Sequence, residues 1–299
     1  MPTIIEFLLW DNCNNNCKFC FLKNGKSNNV IVTTSEKNNI FKYIKNYITN
    51  TNLFIPGNHL LLCGGEIFDT PMSESKKNWI DLTKIIVSSL KSNIIGEFYL
   101  NTNLLYDINM ELTQFLDCFA KNNILHRVHF TTSYDLVGRF KDSSYRKLFL
   151  DNLIKIREQY PSLNIFVNTI LTKQVCLLVQ DRDFSVKDFQ DTYKVKLNVI
   201  PYIVLDDLMA PSFSEVSNAL LTIDAELPGF LANYTQNFEY DNPRKVLKYY
   251  TTDKTFMDVT ANTNKCGHSI NFTHYNKDTK SCFICDIKHL LESRGSNNG

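Results

Sequence analysis

Glycine and proline are scarce in this 299-residue chain, at ten and eight residues, and no low-complexity linker or short internal repeat interrupts it. An excess of one charge is missing as well. Lys and Arg number 32 against 31 Asp and Glu, a net charge of +1. No global basic field therefore exists to hold a nucleic-acid backbone, and a large nucleic-acid footprint is not expected. Long apolar runs are absent too. The longest early one, Ile4–Trp10, is broken by Glu6 and is far too short to span a bilayer. It also lacks the basic start and small-residue cleavage site of a signal peptide, so no membrane partner and a cytoplasmic location are expected. No P-loop, nucleophile elbow or dinucleotide fingerprint appears. What remains is a globular composition, 43% apolar and 21% charged, long enough for one large domain with or without an appendage. The 21 Phe and 14 Tyr read as core rather than as a base-stacking platform.

Cysteine is the exception to this scarcity. The nine cysteines are odd in number and unevenly placed: three lie within Cys13–Cys20, three within Cys266–Cys285, and Cys63, Cys118 and Cys176 stand alone. Without a secretion signal, tight clusters read as metal ligands rather than disulfides. Isolated cysteines read as small buried hydrophobes.

Short β-like runs alternate with helix-like stretches, the pattern of an α/β fold with a parallel sheet. Strands are expected at Ile4–Trp10, His59–Cys63, Glu97–Asn101, Arg127–Thr132, Leu163–Leu171 and Leu197–Val204. Helices are expected at Ser35–Ile48, around Trp79–Leu90, at Met110–Lys121 and at Ser144–Gln159, with an irregular stretch near Asp181–Asp191. Six such units from residue 3 to about 205 suggest a partial (β/α)6 TIM-like barrel. The domain boundary is placed near residue 206, giving a domain of residues 1–205 and a C-terminal extension of 206–299. There Ser212-x-x-Glu215 is a capping box opening a helix, Asp241 with Pro243 starts a second short one, and a cysteine-bearing β-rich unit follows Phe256. A helix around Asp286–Glu292 closes it, and the tail Ser293–Gly299 is expected to be disordered.

The decisive feature is Cys13-Asn-Asn-Asn-Cys17-Lys-Phe19-Cys20, in a polar loop after the first strand. Three thiolates in one short loop can each hold one iron of a cubane cluster that is normally held by four cysteines. No fourth ligand lies in the loop, so one iron stays open for a substrate or cofactor to chelate. A zinc site is the alternative; it needs a fourth ligand from elsewhere, and the three-residue gap followed by a two-residue gap is unusual for zinc. The motif, with Phe19 in its aromatic position, resembles the signature of the radical S-adenosylmethionine (SAM) superfamily. That resemblance implies a [4Fe-4S] cluster whose open iron binds SAM, and reductive cleavage to methionine and a 5′-deoxyadenosyl radical.

Gly64-Gly65-Glu66, at the end of the second strand, resembles the same family's GGE motif, which binds the amino group of SAM. Two glycines let backbone approach a ligand closely, and a carboxylate can accept from an ammonium group. This chain departs from the family in having Ile67 where Pro often follows. Weaker resemblances lie at later strand ends: Asn101 in Asn-Thr-Asn, Ser133 and Asp135 in an SxD pattern, Asn168, and Pro201. By resemblance these contact SAM.

Cys266, Cys282 and Cys285 resemble the twitch or SPASM-type extension that holds an auxiliary Fe–S cluster in some members. Three cysteines are too few for a complete extension with two clusters. A single auxiliary cluster, or a zinc knuckle completed by His268 or His274, stays open. His59, His126, His129 and His289 have no ligand or triad spacing and read as hydrogen-bonded core or surface residues.

The expected function is hydrogen abstraction from a peptide side chain or small molecule, with an electron donor such as a flavodoxin or ferredoxin. No room is seen before the first strand for a leader-peptide-binding domain, which weakens the peptide option. A nucleoside or nucleic-acid substrate is the alternative. From another class, a non-catalytic zinc or Fe–S scaffold predicts both cysteine groups closed by four ligands and no SAM binding.

Overall fold

The computed structural model describes residues 2–20, 32–68, 76–109, 111–202, 208–239, 243–260, 282 and 285–289. Its strands are β1 (Ile4–Leu8), β2 (His59–Cys63), β3 (Phe98–Asn101), β4 (Val128–Ser133), β5 (Asn164–Leu171), β6 (Lys196–Pro201), β7 (Arg244–Tyr250) and β8 (Thr255–Asp258). Its helices are α1 (Thr34–Thr49), α2 (Lys76–Lys91), α3 (Glu111–Ala120), α4 (Ser143–Gln159), α5 (Lys173–Gln180), α6 (Val186–Tyr193), α7 (Phe213–Glu226) and α8 (Phe230–Glu239). Hydrogen bonding orders the strands β6-β5-β4-β3-β2-β1-β7-β8 in one mostly parallel sheet. The order is open-ended, with no closing ladder among the described residues. No described helix is long and apolar enough to cross a membrane.

The chain divides into two compact units. One holds residues 1–133, 140–166 and 242–260, and the other 134–139, 167–241 and 261–299. The boundary expected near residue 206 falls at 203–207, outside the described residues.

In the first unit β1, β2, β3 and β4 pair in parallel, with Leu61 opposite Tyr99 and Tyr99 opposite His129. Alternation does the sorting. Phe7, Leu60, Leu62, Phe98, Leu100, Val128 and Phe130 point to one face and are fully buried. Rings from the helices cover that face: Phe7 meets Tyr47 of α1 edge-on, and Phe98 stacks on Phe119 of α3. A chain of rings runs on through Trp10, Phe41, Trp79 and Phe115. Burying one such apolar side chain stabilises the fold by about 1.5–3 kcal/mol. The opposite face combines a small apolar cluster, Ile4, Leu61 and Cys63 with Leu8 and Tyr99 packed against it, with the half-buried polar residues Glu6, Asn101, His129, Thr131 and Ser133. Helix starts follow local chemistry: Thr33 and Glu36 form a capping box on α1, and Asp142 accepts the N–H groups of Ser144 and Tyr145 to open α4.

Pro243 does not start a helix; it precedes β7, which pairs in parallel with β1 in the register Ile4 to Arg244 through Leu8 to Lys248. Pro243 sits where its missing N–H is harmless, and its carbonyl accepts from Ile4 N. Strand β8 then returns antiparallel, which agrees with the β character expected from Phe256.

In the second unit the stretch near Asp181–Asp191 is not irregular. Thr172 caps α5 and Ser185 caps α6, with Arg182 in a left-handed turn between them. Each helix is only eight residues long, so its buried set (Val175, Cys176 and Val179; Val186 and Phe189) is too short to announce a period. The capping box at Ser212 and Glu215 opens α7 as expected. A helical turn at 285–289 overlaps the closing helix expected around Asp286–Glu292, whose remainder lies outside the described residues. The hairpin expected between Cys266 and Cys282, and the tail from Ser293, lie outside the described residues.

Candidate metal centre

The three-cysteine loop belongs to the first unit. It leaves the carboxyl end of β1 without helix or strand, and its chemistry is positioned by the end of β2. Leu9 N donates to Cys63 O, Gly65 N to Trp10 O and Glu66 N to Asn12 O, so the pairing of β1 with β2 continues past both strands to the residue before Cys13. The indole Nε1 of Trp10 donates to Glu66 O at 3.1 Å. The Gly64-Gly65 pair is required by this approach. A Cβ at Gly65 would lie 1.7 Å from Asn12 O, and one at Gly64, whose φ is +145°, would lie 2.7 Å from Trp10 O. The backbone these glycines admit is the chain's own.

Glu66 is fully buried and its carboxylate is engaged from within. Oε1 accepts from Ile67 N at 2.9 Å and Phe68 N at 3.1 Å; Oε2 accepts from Asn103 N at 2.6 Å. The Thr102 hydroxyl lies 2.9 and 3.0 Å from the two oxygens and is itself 2.7 Å from Tyr106 OH. The carboxylate thus ties the end of β2 to the end of β3.

Cys13, Cys17 and Cys20 are half-buried, and Phe19 beside them is buried. Cys13 Sγ accepts from Asn15 N and from Asn103 Nδ2, both at 3.4 Å, and Cys17 Sγ accepts from Asn15 Nδ2 at 3.2 Å. Asn103 Nδ2 also donates to Asn14 Oδ1 at 2.6 Å, and Asn14 Nδ2 to Leu105 O. Burial pushes the Cys13 thiol up to about 11; the Asn15 N–H opposes it, the Glu66 charge adds to it, and the Asn103 amide opposes it. Among the described residues no three His, Cys, Asp or Glu side chains converge on a metal position. The donor set still fits a thiophilic cluster: three cysteine side chains share one loop, and two of the sulfurs already receive N–H donors. A group taking them would displace thiol protons and gather the loop around itself.

Other expected residues are placed as follows. Asn101 and Ser133 are the half-buried last residues of β3 and β4. In the second unit Asp135 is fully buried, and its Oδ1 accepts from Ile170 N at 2.5 Å. Its Oδ2 is buried with no hydrogen-bond partner among the described residues. Burial raises its pKa to about 6, against the Arg139 charge and the Ile170 N–H. The Asn168 carbonyl accepts from Tyr134 N, and its Oδ1 accepts from Asn198 Nδ2 at 3.3 Å. Pro201 is the buried end of β6. Cys282 is buried and its carbonyl accepts from Asp286 N, while Cys285 is half-buried; Cys266 lies outside the described residues. Of the isolated cysteines, Cys63 and Cys176 are buried as expected, whereas Cys118 is half-exposed on α3 and donates to Gln114 O.

The sequence gives no hint of one grouping at the opposite, amino-terminal ends of β2, β3 and β4. Glu97 Oε2 lies 3.8 Å from His59 Nδ1 and 3.1 Å from His129 Nε2, and accepts from Tyr99 OH at 2.7 Å. The Tyr99 and His129 rings stack with centroids 4.5 Å apart. Parallel register brings the two histidines to one carboxylate, and spacing along the chain does not reveal it.

No protein-family model and no curated protein matches the chain. Among solved structures it is similar to the crystal structure of Streptococcus suis SuiB, at 14% identity and a TM-score of 0.44. The match covers 82% of this chain and 49% of that one, so the chain spans about half the length of that structure.

Proposed function

We propose that this chain is a radical SAM enzyme, with a [4Fe-4S] cluster on Cys13, Cys17 and Cys20 at the carboxyl ends of a partial-barrel sheet. The observation that carries the reading is the three-thiol loop leaving β1, held by the Gly64-Gly65 turn and supplied with N–H donors by Asn15 and Asn103. Cys13, Cys17 and Cys20 would hold the cluster, and once bound it would supply the electron for reductive cleavage of SAM and so the means of removing a hydrogen atom from substrate, with methionine and 5′-deoxyadenosine as products.

The chain's residues do the holding. Phe19 packs the loop into the core. Glu66 braces the glycine turn, and meeting the ammonium of SAM means exchanging one of its present donors. The spare acceptor on Asp135 suits a ribose hydroxyl. Asn101, Ser133, Asn168 and Pro201 are proposed as further SAM contacts at their strand ends. The substrate proposed is a peptide side chain or small molecule in the cytoplasm, and the electron comes from a flavodoxin- or ferredoxin-like donor. Cys266, Cys282 and Cys285 are proposed to hold an auxiliary metal.

Iron, sulfide and zinc in protein purified without oxygen, followed by dithionite and SAM, test the reading. About four irons per chain with 5′-deoxyadenosine formed support it, and seven or eight add the auxiliary cluster. Zinc alone after anaerobic reconstitution, with no deoxyadenosine, overturns it.

A further inference from the structure

We infer that Asn15 and Asn103 are positioning residues that set the reduction potential of the cluster held by Cys13, Cys17 and Cys20. The inference rests on the cluster reading above and deepens it.

Both side chains are nearly buried, at 5% and 8% exposure. Water therefore competes little for their amide protons. Asn15 supplies its side-chain amide to Cys17 Sγ and its backbone N–H to Cys13 Sγ. Asn103 reaches Cys13 from a different strand end. Neither amide is free to turn away. Asn15 Oδ1 accepts from Asn16 N at 3.0 Å. Asn103 is held at three further points: its backbone N–H on Glu66, its Oδ1 on Leu105 N and its second amide proton on Asn14. An amide held this way keeps its aim while the thing it points at changes charge.

The sign follows from electrostatics. Reduction adds one electron, here from dithionite, and no bond in the protein is broken. The added charge is shared with the sulfurs, so an N–H donor stabilises the reduced form more than the oxidised form and raises the potential. Removing a donor lowers it. Asn15 thereby gains a role that its place in a run of three asparagines conceals, and Asn103 one that a loop polar residue would not have.

The test is a dithionite titration of the reconstituted protein, with the reduced cluster read by electron paramagnetic resonance. Wild type is compared with Asn15→Ala and Asn103→Ala, and iron is counted in each. Each variant is expected to keep its iron and shift the reduction equilibrium about tenfold towards the oxidised cluster, about 59 mV for one electron. Unchanged potentials with full iron overturn the inference and leave the cluster reading intact. Loss of iron from both variants, with unchanged circular dichroism, also overturns it, because the side chains then gather the loop rather than tune it. A wild-type protein that assembles no cluster overturns the reading beneath it.

Discussion

Glu66 Oε2 accepts the backbone N–H of Asn103 at 2.6 Å, joining the end of one strand to the end of the next through a single buried carboxylate. Replacing Glu66 with Ala leaves the buried N–H groups of Ile67, Phe68 and Asn103 without their acceptor. Stranding buried donors costs about 1–3 kcal/mol each, so a total loss of about 3–9 kcal/mol is expected in urea unfolding. Unchanged stability with weakened SAM binding would mean that the carboxylate is a ligand group and not a brace.

Gly65→Ala places a methyl 1.7 Å from Asn12 O, an overlap with backbone that no rotamer relieves. The variant is expected to lose more than about 4 kcal/mol or to be insoluble. Gly57→Ala is the comparison. Its φ is +89° but nothing lies within 4 Å of the added Cβ, so the expected cost is backbone strain alone, about 1–2 kcal/mol. Equal losses at the two sites would contradict the contact with the cysteine loop.

Cys17→Ala should abolish 5′-deoxyadenosine formation while leaving the circular dichroism of the fold unchanged, because no regular element contains Cys17. Retained cleavage would remove the cluster from this loop.

Acid should weaken the fold through the two histidines on Glu97. Burial holds His59 and His129 below the ordinary histidine value of 6.5, against the opposing pull of the carboxylate. The unfolded chain therefore takes up their protons first, and their contribution is present above pH 6.5 and lost as pH falls below it. For Glu97 burial is the largest influence and acts upward. The Tyr99 hydroxyl and the two imidazoles outweigh it and hold the group below 4.5, so its contribution is also lost in acid. Urea midpoints should fall from pH 7 to pH 5, and His129→Phe, which can keep the ring stack, should flatten that fall. An unchanged slope would place the titration elsewhere.

Asp135 should show the opposite sign. Its raised pKa, from 3.8 to about 6, means that its ionisation is penalised in the folded state. Its contribution is lost as pH rises from 3.8 through about 6, and Asp135→Asn should remove that descent.

The fold was legible where hydrophobic alternation or capping chemistry is strong. The bounds of β2 are those expected from His59–Cys63, and the Ser212 cap opens α7 where it should. Strand β7 was not legible. Arg244, Lys245 and Lys248 break its apolar pattern, and nothing local tells that Val246 and Leu247 lie beside Glu6 and Phe7. Likewise the glycine pair could be read as a close approach, but not that the approaching backbone is Trp10–Asn12. The donors on Cys13 and Cys17 come from asparagines whose residue type alone says only loop.

The pairing of β1 with β7 also sets an order of assembly. Strand β1 lies between β2 and a partner separated from it by most of the chain. During synthesis the edge of β1 that β7 will cover stays open until residues 244–250 leave the ribosome, and an open edge is a template for wrong pairing. Nascent chains stopped before Pro243 should therefore depend on chaperones or aggregate.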